Sequence, residues 1–225
     1  MSRGVFVTGT DTGVGKTLAS CALIHALRAR GRSVRPMKPI AAGVSADGLN
    51  NDTVALLEAA GRDRSEASFT TPILLREPMA PHVAAAREGR RISLEPVRTA
   101  FSKLAAGDKF VVAEGVGGFL VPLDRDLDSI GLAQDLGLPV VLVVGMRLGC
   151  LNHALLTARA IAASGLPFAG WIANAIDPGM AAADENVAAL LERLPAPLLG
   201  RLPHMPAPDP RILAQRLDVG TLLGP

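Results

Sequence analysis

The residues with the clearest chemical potential lie near the start of the chain, in Gly9-Thr10-Asp11-Thr12-Gly13-Val14-Gly15-Lys16-Thr17. Small residues there let successive backbone N–H groups close around phosphate oxygens, and a helix starting at Lys16 would add its positive dipole end. Lys16 has the reach for the β- and γ-phosphates, and the Thr17 hydroxyl is of the type that ligates Mg²⁺. Five residues separate Gly9 from Gly15, one more than in the common phosphate-loop spacing. Further along, Lys109 to Glu114 is an apolar run that ends in an acid and meets Gly115-Val116-Gly117-Gly118. An acid at a strand tip opposite a phosphate loop can hold Mg²⁺, and glycines permit close approach of backbone to a ligand. Lys38, following the Ser33–Met37 stretch, is a second candidate cation for the phosphates. Asp52 is open to two readings, as a cap for the helix suggested by Val54, Leu56 and Leu57 or as a loop carboxylate aimed at a metal.

These groups need strands that end together. Val5-Phe6-Val7 supplies the first, and Ala19, Ala22, Leu23, Ala26 and Leu27 then follow the spacing of one packed helix face, stopped by Gly31. Ser33–Met37 reads as a second strand. Residues 39–51 read as turns, 70–81 as an irregular proline-punctuated stretch, and 81–89 and 95–106 as helices. Pro139–Val144 is a continuous β-branched run suited to a fully buried parallel strand. It leads through Gly145 into Gly149-Cys150-Leu151-Asn152-His153, which opens another helix and forms a second exposed helix start. Phe168–Asn174 and Leu198–Leu202 complete the strands, and a weakly helical tail follows Pro203-His204-Met205. Strand–helix alternation over the whole length predicts a single-domain α/β protein, residues 1–225, of the P-loop NTPase-like kind: a parallel sheet with helices on both faces. The polar candidates fall at strand carboxyl ends, which in such sheets face one crevice.

Composition narrows the classes of function. At 225 residues and 49% hydrophobic content, one domain with a sizeable core is expected. A net charge of +2 with dispersed basic residues argues against nucleic acid or an anionic membrane as partner, and 3% aromatics with no Tyr argues against base-stacking platforms. Cys21 and Cys150 have no metal-ligand spacing and suggest a reducing cytoplasm rather than a disulfide framework. Cys150 reads as structural and His153 as an ordinary helix-start residue, since no base or carboxylate partner accompanies either. No leader or membrane span is evident before or after Val5, so a soluble, cytoplasmic protein is expected.

The combination of stretches resembles the dethiobiotin synthetase family. The resemblance is carried by Val7 to Thr17, Lys38-Pro39 with Gly43, Glu114 to Gly118, Leu142 to Gly145, Leu148-Gly149-Cys150-Leu151-Asn152-His153, Gly170-Trp171-Ile172-Ala173-Asn174 and Pro195 to Gly200. It implies an enzyme that uses MgATP, CO₂ and 7,8-diaminononanoate (diaminopelargonic acid), acting as a homodimer without nucleic acid or membrane. By resemblance, Thr17, Asp52 and Glu114 are the Mg²⁺ ligands and Thr12, Gly13, Val14, Gly15, Lys16 and Thr17 hold the triphosphate. Gly115, Val116 and Gly117 continue the nucleotide site, and Asn174, Ala175, Pro203, His204 and Met205 correspond to the adenine contacts. Lys16 and Lys38, with Thr12, correspond to the groups that steady the carbamate and the transferring phosphoryl group. Gly149, Cys150, Leu151 and Asn152 correspond to a helix start that holds the substrate carboxylate across the dimer interface, with Ala42 near the substrate. Three positions depart from the family pattern: Ala42 where a serine is usual, Gly13 where some members have Glu, and Ala175 where some have Asp. Two other readings compete, a related ATP-dependent amide-forming synthetase and a nucleotide switch of the ParA/MinD type. The switch type carries a second lysine where this chain has Asp11.

Overall fold

The computed structural model describes residues 4–223. The chain opens with β1 (Gly4–Gly9), α1 (Lys16–Ala29), β2 (Val34–Met37), β3 (Ile40–Ala42), α2 (Asn51–Ala60), α3 (Ala67–Thr70) and β4 (Ile73–Leu75). It continues through α4 (Pro81–Arg87), α5 (Glu95–Leu104), β5 (Phe110–Glu114), β6 (Pro122–Asp124), β7 (Leu127–Asp128), α6 (Ser129–Leu136) and β8 (Val140–Met146). The last elements are α7 (Cys150–Ser164), β9 (Phe168–Ala175), α8 (Ala183–Arg193), β10 (Leu198–Leu202) and α9 (Pro210–Leu213).

Six strands form one sheet in the order β10-β9-β8-β1-β5-β2, and every neighbouring pair in it is parallel. Both faces are covered, which is why its central strands read as unbroken apolar runs. Alternate residues of each strand enter different cores. Phe6, Val111, Ala113, Leu142 and Val144 pack with Val97 of α5, Leu132 of α6, Ile161 of α7 and Leu190 of α8. Val5, Val7, Val112, Val141 and Val143 pack on the other face with Leu23 and Leu27 of α1, Leu56 of α2 and Leu213 of α9. The order places β1, with its phosphate loop, between β8 and β5, so the ends of those three strands open beside one another.

Residues 39–51 and 70–81 differ from the expectation of turns and irregular chain. They contain β3 and β4, which pair in parallel from Ile40–Ile73 to Ala42–Leu75. Runs of three residues are too short to show alternation, so nothing in the local sequence distinguishes these strands from loops. The β6–β7 hairpin and α6 likewise lie in a stretch for which no periodic signal was available. The other expected strands and the helices at 81–89 and 95–106 are present with ends shifted by one or two residues.

Candidate functional site

The phosphate-loop residues wrap the turn between β1 and α1. Gly13 and Gly15 take φ values of 75° and 82°, a region costly for residues with a Cβ. At Gly15 there is also no room, because a Cβ would come within 2.2 Å of Asn174 Nδ2. Asn174, buried at the end of β9, instead donates from Nδ2 to the Val14 carbonyl at 2.8 Å. In this chain it therefore braces the loop from the neighbouring part of the sheet. Lys16 is buried, and its Nζ donates to the Asp11 carbonyl at 3.0 Å.

Across the loop, four side chains from four elements meet. Thr17 Oγ1, in the first turn of α1, lies 2.9 Å from both Asp52 Oδ1 and Glu114 Oε1, so its one proton is shared between two carboxylates. Lys38 Nζ reaches Glu114 Oε1 at 2.6 Å, Asp52 Oδ2 at 3.0 Å and the Gly115 carbonyl at 3.1 Å. Topology explains the meeting: β2 and β5 are neighbours in register, Met37 opposite Ala113, so the next residues, Lys38 and Glu114, stand side by side at the carboxyl edge of the sheet. Asp52 arrives from the first turn of α2. Of its two readings from sequence, the structure rejects the cap: Asn50 caps α2, its Oδ1 accepting from the Asp52 and Thr53 amides. Asp52 is left free to face the lysine.

Burial and charge act in opposite directions on these groups. Desolvation pushes the Lys16 ammonium down to about 8 against the attraction of Glu114, with Lys38 adding repulsion. Lys38 is more deeply buried, yet the Glu114 and Asp52 carboxylates outweigh desolvation and hold it above the ordinary lysine value. Desolvation is also the largest influence on Asp52, opposed by Lys38 and the Thr17 hydroxyl, which together hold its carboxyl below the usual range. Glu114 is fully buried and its Oε2 has no hydrogen-bond partner. An orphaned carboxylate oxygen beside a hydroxyl and a second carboxylate is an oxygen-only donor set that suits a hard cation. Among the described residues no cluster of three His, Cys, Asp or Glu side chains could hold a metal. The set therefore fits a cation that takes one or two carboxylates together with phosphate oxygens, the habit of Mg²⁺.

These groups line a crevice of about 700 Å³, within the size range of ligand pockets. Thr12, Gly13, Gly15, Lys16, Thr17, Lys38, Ala42, Asp52, Glu114, Val116 and Gly117 all border it. Its opposite wall, Pro78-Met79-Ala80-Pro81 with Val121, carries no signal in the residue pattern. The prolines at 72, 78 and 81 marked a loop there but not what it faces. Gly117 takes a φ of 63° against Val121 and Thr12, which lets the turn after β5 lie close to the phosphate loop. Gly115 is buried against Phe6.

Other expected site residues lie elsewhere. Ala175 and Pro203 border a second depression of about 370 Å³ with Met146, Leu202, Arg201 and Arg216, at the ends of β8, β9 and β10. Ala175 directly follows Asn174, so this depression begins one residue from the brace on Val14. His204 is exposed beside it, and Met205 is half-buried against the core under α1. Gly149, Leu151 and Asn152 line neither cavity. Gly149, with φ of 91°, and Asn152 are exposed, Leu151 is half-buried, and the Cys150 side chain is turned into the core. Both cysteines are buried and free.

Comparison with known proteins places this geometry in context. Residues 3–211 match the family model described as an AAA domain. The chain is 52% identical over 222 residues to the ATP-dependent dethiobiotin synthetase of Nitrosospira multiformis, covering 99% of this chain and 97% of the relative. It is 52% identical over 218 residues to the ATP-dependent dethiobiotin synthetase of Aromatoleum aromaticum, covering 96% of each. The enzyme of the same name from Ralstonia nicotianae is 50% identical over 220 residues, 97% of this chain and 96% of that one. Among solved structures, the MinC:MinD cell division protein complex of Aquifex aeolicus aligns with a TM-score of 0.53 at 16% identity, over 90% of this chain and 81% of that one. The signal recognition particle receptor FtsY of Elizabethkingia anophelis aligns with a TM-score of 0.52 at 16% identity, over 98% and 61% of the two chains. At that identity the structural likeness speaks for the parallel, helix-covered fold alone.

Proposed function

The chain belongs to the ATP-dependent dethiobiotin synthetase family, and on that premise we propose how its crevice works. It catalyses the ATP-dependent carboxylation and ring closure of diaminopelargonic acid with CO₂, giving dethiobiotin, ADP and phosphate. One amine of the substrate takes up CO₂ as a carbamate and loses a proton. A carbamate oxygen then attacks the γ-phosphorus, and the bond to ADP breaks. The second amine attacks the carbonyl carbon of the resulting carbamic–phosphoric anhydride, phosphate leaves, and a cyclic urea closes.

The observation that carries this reading is the convergence at the mouth of the phosphate loop, where Thr17 and Lys38 each lie within 3.0 Å of both Asp52 and Glu114. Phosphoryl transfer asks for positioning and charge neutralisation more than for a nucleophilic side chain, and this set offers both. Residues Thr12 to Thr17 cradle the triphosphate through backbone N–H groups and the α1 dipole. Lys16 leaves the Asp11 carbonyl for the β- and γ-phosphates when nucleotide enters. Lys38, kept protonated by its two carboxylates, faces the carbamate and the transferring phosphoryl group. Thr17, Asp52 and Glu114 hold Mg²⁺, which when bound neutralises phosphate charge. Val116 and Gly117 form the floor of the crevice with Gly115 behind them, and Ala42 and the Pro78–Pro81 wall stand against the diamine chain. Ala42 offers a methyl where a hydroxyl is usual in the family, so no side-chain hydrogen bond reaches the substrate from that position.

The adenine ring is assigned to the depression bordered by Ala175 and Pro203, with His204 and Met205 following Pro203 in the chain and Asn174 linking it to the loop. The substrate carboxylate is assigned to the N-terminus of α7, at Gly149 to Asn152, of a second subunit. Two features support a homodimer: this helix start lies outside its own chain's crevice, and Leu148 beside it is 94% exposed, with Leu156 on α7 also exposed. The proposed setting is a cytoplasmic enzyme of small molecules; among the described residues no helix is long and apolar enough to cross a membrane. The test is detection of dethiobiotin from diaminopelargonic acid, bicarbonate and MgATP.

A further inference from the structure

The phosphate loop contains an acid. Asp11 sits inside the segment that cradles a polyanionic nucleotide, where an uncompensated carboxylate would repel its charge. Its side chain is engaged twice. Oδ1 accepts from the Thr12 amide at 2.7 Å, and Oδ2 is paired with the Arg147 guanidinium. Arg147 lies in the turn between β8 and α7, and its carbonyl accepts from the Cys150 amide at 3.0 Å as α7 begins. The pair is the last of three successive ties from the loop to β8 and the turn that follows it. The Thr10 amide donates to the Val143 carbonyl at 3.0 Å, the Gly145 amide donates to Thr10 Oγ1 at 3.4 Å, and Asp11 then meets Arg147. Meanwhile the Asp11 carbonyl holds the Lys16 ammonium.

We propose that Arg147 is a positioning residue for nucleotide binding, which neutralises Asp11 and draws its carboxylate aside from the phosphate cradle. The inference rests on the loop's role as the triphosphate site. Stability is not its purpose: the two side chains are 40% and 46% exposed, and pairs of that exposure contribute little to folding. At the mouth of a phosphate site the same pair acts on a ligand of several negative charges, where one uncompensated charge is felt directly. Asp11 also stands lower than an ordinary aspartate, through the Thr12 amide first and Arg147 after it, so it carries its charge at neutral pH.

The test is a binding titration with MgADP, which requires no turnover, on wild type, Arg147→Met, Asp11→Asn and the double variant. Wild type must bind MgADP; failure there would strike the nucleotide-site reading itself and not this pair. Arg147→Met is expected to weaken binding on the order of tenfold, the scale of one unit charge at a half-exposed site, and the loss should shrink as salt is raised. Asp11→Asn in the Arg147→Met background should recover most of the affinity, because the repelling charge is gone, and Arg147→Lys should lose little. A purely structural strut would show no recovery, since both variants break it. Unchanged affinity in Arg147→Met, or a double variant as weak as Arg147→Met alone, would overturn the proposal.

Discussion

Lys38 Nζ lies 2.6 Å from Glu114 Oε1, and both groups are buried at the ends of adjacent parallel strands. A buried pair of this kind stabilises little as a pair, but removing one partner strands a charge without water. Glu114 already has one oxygen unpartnered, so Lys38 supplies the charge that makes its burial tolerable.

Lys38→Met is therefore expected to lower stability by roughly 3 kcal/mol, a fall of about 6–12 °C in Tm for a domain of this size. Lys38→Met/Glu114→Gln should regain at least half of that loss, because no charge is left stranded. Thermal melts of the three proteins decide it, and an unchanged Tm in Lys38→Met would mean that Glu114 finds its compensation elsewhere.

Lys16 should act as a titratable part of the nucleotide site. Its ammonium is pushed down to about 8 by burial, so MgADP affinity should decline as pH rises through that value. The stability effect has the opposite direction. With the folded value below the unfolded one near 10.4, the folded state binds fewer protons between the two. The unfavourable contribution is complete below about 8 and is relieved as pH climbs toward the unfolded value. Denaturant unfolding of wild type and Lys16→Met at pH 7 and pH 10 should converge at the higher pH. Lys16→Ala should cost about 10²–10³ in kcat with the fold intact.

The metal assignment predicts a graded series. Thr17→Ser keeps the hydroxyl and should leave the Mg²⁺ activation curve near wild type. Thr17→Ala and Glu114→Gln should each require at least about tenfold more Mg²⁺. Calorimetric titration of Mg²⁺ into the ADP complex gives a readout independent of turnover. Identical curves for wild type and Glu114→Gln would remove Glu114 from the ligand set.

Much of this site could be read from residue types because its parts are local. A phosphate loop announces itself by glycine spacing before a helix, and Glu114 by an apolar run that ends in an acid before glycines. Lys38 was legible for the same reason, as the residue after a strand. Asp52 was not decidable, since a carboxylate at a helix start serves equally as cap or ligand. The three-dimensional position of Asn50, which takes the cap, removes the first role. The wall at Pro78–Pro81 and the Asp11–Arg147 pair were invisible because each depends on contacts between distant segments, 136 residues apart in the second case. The strands β3 and β4 were missed because three residues carry no period.

The composite-site proposal can be checked by complementation. Gly149 holds a φ of 91°, where a larger residue would strain the turn, so Asn152→Trp is the cleaner probe of the exposed helix start. It should raise KM for the diamine far more than KM for ATP. Mixing Asn152→Trp with Lys16→Ala subunits should restore activity, since one of the two sites in a heterodimer is then intact. No recovery under conditions of demonstrated subunit exchange would mean that the carboxylate is held within one chain.

The central claim is that ATP cleavage in this crevice is coupled to ring closure. The most direct measurement follows dethiobiotin by mass spectrometry alongside ADP and phosphate, in reactions of purified protein with diaminopelargonic acid, bicarbonate and MgATP. Dethiobiotin, ADP and phosphate are expected to appear in equal amounts, and omitting either the diamine or bicarbonate should stop ATP cleavage. ATP turnover that proceeds without the diamine, or a complete reaction that yields no dethiobiotin, would contradict it.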